Sequence, residues 1–150
     1  MEHLSSEFWC KSYGENRTAW DLGTVSPPIQ AYFDQINNKK IEILFPGCGN
    51  AYEAEYLHRN GFTNVCVLDF IEEPLHALRK RCSDFPSDHI ISADFFKHTG
   101  SYDIIVEQTF FSAIDPNYRQ KYVERVKRLL KPGGKLVGVL FDVEFPDGPP

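Results

Sequence analysis

The stretch IEILFPGCGNA at residues 41–51 decides the fold of this chain. Its apolar run at 41–45 is typical of a strand that is covered on both faces. Gly47 and Gly49 follow at once, and their missing Cβ atoms would let backbone amides approach a ligand closely. A second apolar run further along ends in Asp69. Strand, glycine turn, helix, strand and acid in this order predict a nucleoside-binding crevice in an open α/β sheet.

Strands and helices alternate along the rest of the chain. Gly61 fits a helix-ending residue, the EEP segment at 72–74 suits a helix start, and the basic RKR segment at 79–81 is predicted to be a solvated face. We therefore predict an α/β fold in a single domain, 1–150, with a Rossmann-like, doubly wound, mostly parallel sheet and helices on both faces. The predicted helices lie at 51–61, 72–82 and 117–130, and the predicted strands at 41–45, 65–68, 89–93, 102–106 and 135–141.

The composition fits one globular domain, with 150 residues of which 42% are hydrophobic and 25% charged. A net charge of -5 and the lack of a basic stripe argue against a nucleic-acid partner. The 4 cysteines and 5 histidines lack metal-ligand spacing, so neither a metal site nor a disulfide framework is predicted. No apolar run approaches the ~20 residues of a membrane span, and the N-terminus lacks a secretory pattern. We expect a cytoplasmic protein without a membrane partner.

The glycines and the acid allow more than one interpretation. An NAD-type fingerprint requires a third glycine where Tyr52 stands, which weakens the case for an oxidoreductase. The Asp69 carboxylate could accept both hydroxyls of a ribose, or it could be only a helix N-cap or a solvated loop acid. The position of Asp69 at the end of a strand favours the interpretation that it binds a ribose.

Several motifs, taken in order, resemble those of a class I S-adenosylmethionine-dependent methyltransferase. They are PGCGN at 46–50, the acid that ends the second strand, ADFF at 93–96, YDIIVEQTFF at 102–111 and LLKPGGKL at 129–136. The stretch FWCKSYGENRTAWDLGTVSP at 8–27 and the closing FPDGPP at 145–150 resemble the thiopurine methyltransferase family and its thiol and halide methyltransferase relatives. The resemblance covers nearly the whole chain. It implies S-adenosylmethionine as the cofactor and a cofactor-covering segment at residues 1–25.

The resemblance also implies which residues contact the cofactor. Gly47 and Gly49 would lie against its methionine portion and Asp69 would hold the ribose. Asp94 and Phe95 would read the adenine. The complete set of implied cofactor-binding residues is Trp9, Tyr13, Trp20, Gly47, Gly49, Asp69, Asp94, Phe95, Glu107 and Gln108.

An aromatic ladder of Trp9, Tyr13 and Trp20 would cover the sulfonium, although packing alone would make the two tryptophans core anchors. Glu107 would either bind the amino group of the cofactor or merely finish the fourth strand. The candidates for the acceptor pocket are Tyr13, Gln108 and Phe111, and the family often carries Trp in place of Tyr13 and Tyr or Arg in place of Gln108. One member of each phenylalanine pair, 95–96 and 110–111, is expected in the core and the other in the pocket.

The chemistry requires little of the protein beyond placement. A sulfonium methyl group is already activated, so alignment of a soft nucleophile and exclusion of water suffice, and no catalytic acid or base is predicted. The predicted activity is methyl transfer to a small thiol, bisulfide, halide or thiopurine. A non-catalytic cofactor-binding module is the alternative. Nucleic-acid amino methylation is disfavoured because Glu107-Gln108-Thr109-Phe110 stands where those enzymes usually have Asn or Asp followed by two prolines.

Methyltransferases of this class usually end in two further strands. The sequence signals only five, so we predict a sheet that lacks the last two strands and leaves the fifth as an apolar edge. An unpaired apolar edge strand can pair with another chain or promote aggregation.

Overall fold

The elements of the computed structural model, which describes residues 5–143 and Pro146, follow the predicted alternation. In chain order they are α1 (Ser6–Gly14), α2 (Pro27–Asp34), β1 (Ile43–Pro46), α3 (Tyr52–Arg59), β2 (Val65–Asp69), α4 (Glu72–Arg81), β3 (Ile90–Ser92), β4 (Tyr102–Gln108), α5 (Phe110–Ala113), α6 (Arg119–Leu129) and β5 (Leu130–Val139). The described chain also contains short 3-10 turns at Ser87–His89, Phe95–Lys97 and Pro116–Tyr118.

The strands form one sheet in the order β3-β2-β1-β4-β5, and all of these pairings are parallel. The strand order reverses next to β1, where the chain first builds outward to β3 and then returns to place β4 on the other side. In an open sheet of this kind, ligands bind outside the carboxyl ends of the strands at such a reversal. The glycine turn after β1 lies at this point, so the predicted doubly wound fold is confirmed together with the position of its crevice.

Alternate side chains of the central strands point to opposite faces of the sheet. Helices cover both faces. On one face Ile43 and Phe45 of β1 pack with apolar residues of α2, α3 and α4. On the other face Leu44 packs with Tyr122 and Val126 of α6. The continuous apolar run of β1 thus serves two cores at once.

The predicted helix at 117–130 begins later than expected. Asp115 accepts a hydrogen bond from the backbone amide of Asn117 at 2.9 Å, and a 3-10 turn precedes α6. The sequence also predicts an apolar stripe on this helix that includes Tyr118 and Tyr122. Tyr118 falls in the turn and is 46% exposed, whereas Tyr122 lies in α6 and is buried.

β5 begins earlier than predicted. The KPGG segment at 131–134 was expected to precede the strand, but Leu130 already pairs with Tyr102. The register then shifts, and Gly134 fits the irregularity because a Cβ atom there would lie 3.0 Å from the carbonyl oxygen of Tyr102. The helix therefore leads directly into the strand.

Arg81 does not belong to a solvated face. Its Nε atom lies 2.8 Å from a carboxylate oxygen of Glu55, and its guanidinium lies 4.4 Å from the ring centroid of Tyr52. It also donates a hydrogen bond to the carbonyl of Asn50. The prediction was wrong at this residue because the last turn of α4 approaches α3 and the glycine turn, a contact that local sequence does not reveal.

β5 is an outer strand of the described sheet, and Leu136 is 46% exposed there. Within the described residues the predicted five strands are confirmed. Of the closing segment FPDGPP at 145–150, all but Pro146 lies outside the described residues. Among the described helices, none combines the length and apolar character that a membrane crossing requires.

Candidate active site

Asp69 connects the ends of the two central strands that build the crevice. One of its carboxylate oxygens accepts a hydrogen bond from the amide of Gly49, and the other from the amide of Ile71, each at 3.0 Å. The residue is 6% exposed, so it is not a solvated loop acid. Burial raises the pKa of Asp69, and the amide hydrogen bonds oppose that rise. A carboxylate held in this way is positioned before any ligand arrives.

Several left-handed backbone torsions lie at the same edge. Gly47 and Gly49 have φ values of 56° and 51°, and the non-glycine residues Ala51 and Thr109 also have positive φ, at 57° and 61°. Left-handed torsions at non-glycine residues are costly and cluster at functional sites. Of the three such residues in the described chain, Ala51 and Thr109 follow β1 and β4, the strands on either side of the reversal, and Asn16 follows α1.

A cavity of about 250 Å³, the larger cavity, opens beside Asp69. Its lining is mostly aromatic and apolar, with three carboxylates. The lining residues are Trp9, Tyr13, Trp20, Gly47, Asp69, Phe70, Ile71, Asp94, Phe95, Phe96, Thr109, Phe110, Ala113, Ile114, Asp115 and Tyr118. Most of the residues that the sequence assigned to the cofactor meet here.

A second cavity of about 60 Å³, the smaller cavity, lies over the glycine turn. Its lining is more polar. The lining residues are Tyr13, Trp20, Asp21, Leu22, Thr24, Phe45, Pro46, Gly47, Cys48, Gly49, Asn50, Ala51, Tyr52, Glu53, Val106, Gln108 and Thr109. Four residues, Tyr13, Trp20, Gly47 and Thr109, line both cavities, which are therefore adjacent.

The three rings of the predicted aromatic ladder contact one another and line the larger cavity. The ring centroids of Trp9 and Trp20 lie 5.2 Å apart, and those of Tyr13 and Trp20 lie 5.9 Å apart, each pair nearly perpendicular. Trp9 is 9% exposed and yet lines the larger cavity. The tryptophans therefore pack against one another and form a cavity wall at the same time.

Aromatic side chains also occupy the space that the glycines leave open. A Cβ atom at Gly47 would lie 2.0 Å from Cδ2 of Phe110, and one at Gly49 would lie 2.7 Å from the hydroxyl oxygen of Tyr13. The sequence analysis predicted that the missing Cβ atoms let a ligand approach the backbone amides. In the structure they also let Phe110 and Tyr13 close over the turn.

Asp94 and Phe95 also line the larger cavity. Asp94 begins a 3-10 turn, in which its carboxylate accepts a hydrogen bond from the amide of Phe96 at 2.9 Å. Phe95 is buried, and its ring centroid lies 5.3 Å from that of Phe110. Both members of the 95–96 pair line the cavity, so the expected division between core and pocket does not hold for this pair.

Glu107 is placed differently from the other predicted site residues. It is 3% exposed and lies outside the lining of both cavities. Its carboxylate accepts hydrogen bonds from the hydroxyl of Tyr122 at 2.6 Å and from the amide of Phe111 at 2.7 Å. Burial raises the pKa of Glu107, and these donors oppose the rise. Of the two interpretations left open, the structure favours an internal brace at the end of β4 over contact with the cofactor.

Phe111 likewise turns away from the cavities. Its ring centroid lies 5.2 Å from that of Tyr122, and the guanidinium of Arg119 lies 5.0 Å from its centroid. Phe110 lines the larger cavity instead. Both rings are partly buried, and the acceptor-pocket role of Phe111 stays a prediction that its position outside both linings does not support.

The comparisons with known proteins agree with this geometry. The family model described as thiopurine S-methyltransferase matches residues 4–150. The chain belongs to the thiopurine S-methyltransferase family. The family uses S-adenosylmethionine, so the resemblance and the cofactor that the motifs predicted are both confirmed.

Two plant relatives and one solved structure illustrate the similarity. The probable thiol methyltransferase 2 of Arabidopsis thaliana is 31% identical over 155 residues, covering 100% of this chain and 68% of that protein. Thiocyanate methyltransferase 1 of the same plant is 28% identical, covering 95% of this chain and 65% of that protein. The 1,6-didemethyltoxoflavin-N1-methyltransferase of Burkholderia thailandensis, solved with 1,6-didemethyltoxoflavin and S-adenosylhomocysteine, has a TM-score of 0.79 at 17% identity and covers 97% of this chain and 64% of that one. The chain thus spans about two thirds of the length of these proteins.

One acid in this member of the thiopurine S-methyltransferase family was missed by sequence reasoning. Glu53 is 8% exposed, lines the smaller cavity and accepts a hydrogen bond from the amide of Ser26 at 2.9 Å. Burial raises the pKa of Glu53, whereas the Ser26 amide and the Gln108 side chain lower it. The available signal was an acid in the first turn of the helix that follows the glycine turn.

Other lining residues of this family member carried weak signals or none. Gln108 lines the smaller cavity, and its contact with the cofactor stays a prediction. Phe70 and Ile71 line the larger cavity and directly follow Asp69, so their position in the sequence was an available signal. Asp115 and Tyr118 arrive from the segment before α6, and nothing local in the sequence indicates that they reach the larger cavity.

Proposed function

We propose that this chain transfers the methyl group of S-adenosylmethionine to the sulfur of a small thiol that carries no negative charge. The observation that carries the proposal is the adjacency of the two cavities along Tyr13, Trp20, Gly47 and Thr109. The larger cavity has the acid and the apolar walls that an adenosine requires. The smaller cavity has carboxylates that suit the ammonium group of a methionine. The methyl group would then lie where the two cavities meet.

The residues fit this cofactor in their chemistry. In the larger cavity Asp69 offers a buried carboxylate to ribose hydroxyls. In the smaller cavity Asp21 and Glu53 offer negative charge to an ammonium group. The faces of Tyr13 and Trp20 attract a cation, because an aromatic ring carries negative charge density on its faces.

The protein residues act by placement. When bound, the cofactor supplies a methyl group that its sulfonium charge already activates. The wall formed by Trp9, Trp20 and Phe110 would exclude water and restrict the acceptor to an in-line approach, and such positioning is worth ~7 to 11 kcal/mol in well-oriented reactions. The acceptor sulfur gains the methyl group and its proton passes to solvent, since a free thiol with a pKa of ~8.5 is already partly ionised at neutral pH.

The charges of the side chains that line the two cavities indicate which acceptor charge the site favours. The larger cavity is lined by Asp69, Asp94 and Asp115 and the smaller one by Asp21 and Glu53, whereas neither lining contains Lys, Arg or His. The residues outside the described part contain no Lys or Arg either. An anionic acceptor would therefore meet repulsion that no cationic side chain in either described lining offsets. Thiols with neutral or cationic substituents are favoured over thiocyanate, halide or carboxylated thiols.

A series of thiols that differ in charge but little in size tests this proposal. We would measure kcat/KM for cysteamine, 2-mercaptoethanol and 3-mercaptopropionate, with thiocyanate alongside, by release of S-adenosylhomocysteine. We expect the first two to exceed the anionic acceptors by about tenfold or more. Asp115→Asn should narrow that ratio. Faster turnover of the anions than of cysteamine would contradict the charge argument.

A second candidate is a non-catalytic cofactor-binding module, which is favoured by the closure of Phe110 and Tyr13 over the glycine turn. Binding of S-adenosylhomocysteine without transfer to any acceptor would support the module. Absence of both binding and transfer would reject both candidates.

The proposal also includes a segment that covers the cofactor and a cellular compartment for the protein. The segment before α2 contributes Trp9, Tyr13 and Trp20 to the lining and would act as the cofactor cover. The chain would work in the reducing cytoplasm, where its free cysteines can persist.

A further inference from the structure

A cluster of metal-ligating side chains lies away from both cavities. His58 stands in the last turn of α3, Cys82 caps the C-terminus of α4, and Asp84 follows in the loop toward β3. His58 and Asp84 are 26 positions apart in sequence, which is why no ligand spacing was visible there. The fold brings the three different donors together.

The distances suit a small divalent cation. Nε2 of His58 lies 3.1 Å from one carboxylate oxygen of Asp84, and Sγ of Cys82 lies 3.3 Å from the other. One ligand atom from each of the three residues lies within 4.8 Å of the other two. Tetrahedral zinc, with bonds of about 2.0 Å to nitrogen or oxygen and about 2.3 Å to sulfur, places neighbouring ligand atoms roughly 3.3 to 3.6 Å apart. The distance from Asp84 to His58 lies a few tenths of an ångström below that range, and the distance from Asp84 to Cys82 lies at its lower end.

Burial gives the cluster an inner and an outer side. Cys82 is 1% exposed, whereas the side chains of His58 and Asp84 are 20% and 74% exposed. An ion could enter from the side of Asp84 and keep water as its fourth ligand. The neighbouring Arg59 is paired with Glu55 at 3.0 Å, and Glu55 also pairs with Arg81 at 2.8 Å.

We propose that His58, Cys82 and Asp84 bind Zn²⁺ or a similar thiophilic divalent cation, with water completing the coordination. Binding replaces the hydrogen bond between the Cys82 thiol and Asp84 by metal bonds and releases the thiol proton to solvent. The ion would tie the end of α3 to the end of α4. Arg81 directly precedes Cys82 and donates a hydrogen bond to the carbonyl of Asn50, which lines the smaller cavity. The proposed metal site is therefore connected to the edge of that cavity.

Cobalt titration of the whole chain tests the site, because Co²⁺ reports its ligands by absorption. The measurement would be made with a reductant that contains no thiol. We expect a thiolate-to-cobalt charge-transfer band that Zn²⁺ abolishes by competition. Cys82→Ser should lack the band, and the matched control Cys10→Ser, which changes an exposed cysteine outside the cluster, should retain it. A missing band in the wild type, or an equal band in Cys82→Ser, would overturn the proposal.

A second variant tests the site independently, because Cys82→Ser changes a buried position and a lost band could then reflect misfolding. Asp84 is largely exposed, so Asp84→Asn should fold normally and bind Zn²⁺ about tenfold more weakly or worse in a calorimetric titration. Zn²⁺ should raise the Tm of the wild type more than that of Asp84→Asn at the same concentration. Equal affinity and equal Tm shifts in the two proteins would show that the carboxylate is not a ligand.

Discussion

The backbone amide of Gly49 donates a hydrogen bond to the carboxylate of Asp69 over 3.0 Å, and this contact joins the turn after β1 to the end of β2. The glycine turn and the acid were recognised separately in the sequence. The structure shows that they are one unit, in which the acid holds the loop. Asp69 also lines the larger cavity.

Removal of the Asp69 carboxylate should weaken cofactor binding. We expect Asp69→Ala to bind S-adenosylhomocysteine about 10- to 100-fold more weakly by calorimetry, because hydrogen bonds to a charged group are worth ~1.5 to 3 kcal/mol. Asp103→Asn is the matched control. Asp103 accepts a hydrogen bond from the amide of Glu42 at 2.8 Å, near the start of β4 and at the opposite edge of the sheet. Unchanged affinity in Asp69→Ala would remove Asp69 from the cofactor site.

The contact between Gly47 and Phe110 predicts a coupled pair of mutations. Gly47→Ala should be more destabilising than Gly133→Ala in urea unfolding. Both glycines have positive φ, at 56° and 78°, but only at Gly47 would the new Cβ atom meet a ring. We expect about 1 kcal/mol for Gly133→Ala and about 1 to 3 kcal/mol more for Gly47→Ala.

The same pair can be tested by a double-mutant cycle. In a Phe110→Ala background, Gly47→Ala should cost less than in the wild type, because the obstructing ring is gone. A cost that does not depend on residue 110 would show that backbone torsion alone limits residue 47.

The buried pair of Glu107 and Tyr122 predicts a pH dependence of stability. Because burial raises the pKa of Glu107 in the folded state, the wild type loses stability relative to Glu107→Gln as the pH rises through that raised pKa. The relative loss is absent below the unfolded-state pKa of about 4.3. Urea unfolding of both proteins between about pH 4 and pH 7 measures the difference. A difference that is constant across this range would contradict the assigned pKa direction.

Neighbouring arginines of α4 should contribute very differently to stability. Arg81→Ala removes the half-buried contacts with Glu55 and Asn50 and should lower the free energy of unfolding by ~1 to 3 kcal/mol. Arg79→Ala is the control, since the Arg79 guanidinium lies 3.5 Å from Glu72 on an exposed surface and should contribute no more than ~0.5 kcal/mol. Equal effects of the two substitutions on the urea midpoint would count against the contact between α4 and the glycine turn.

The sequence by itself determined the alternation of strands and helices, the glycine turn and the acid that follows. Each of these depends on local causes, such as the left-handed torsions at Gly47 and Gly49 and the apolar run that buries β1 from both faces. Family motifs then predicted cofactor residues at the carboxyl ends of the strands, which meet at a common edge because the strands are parallel.

Only the tertiary structure decided which side chains meet across that edge. It turned Phe110 toward Gly47 and Phe111 away, and it enclosed Glu107 with Tyr122. It also brought His58 to Cys82 and Asp84. These contacts join elements that are distant in the chain, and their geometry depends on how the helices pack on the sheet. Local propensity and spacing carry no information about that packing.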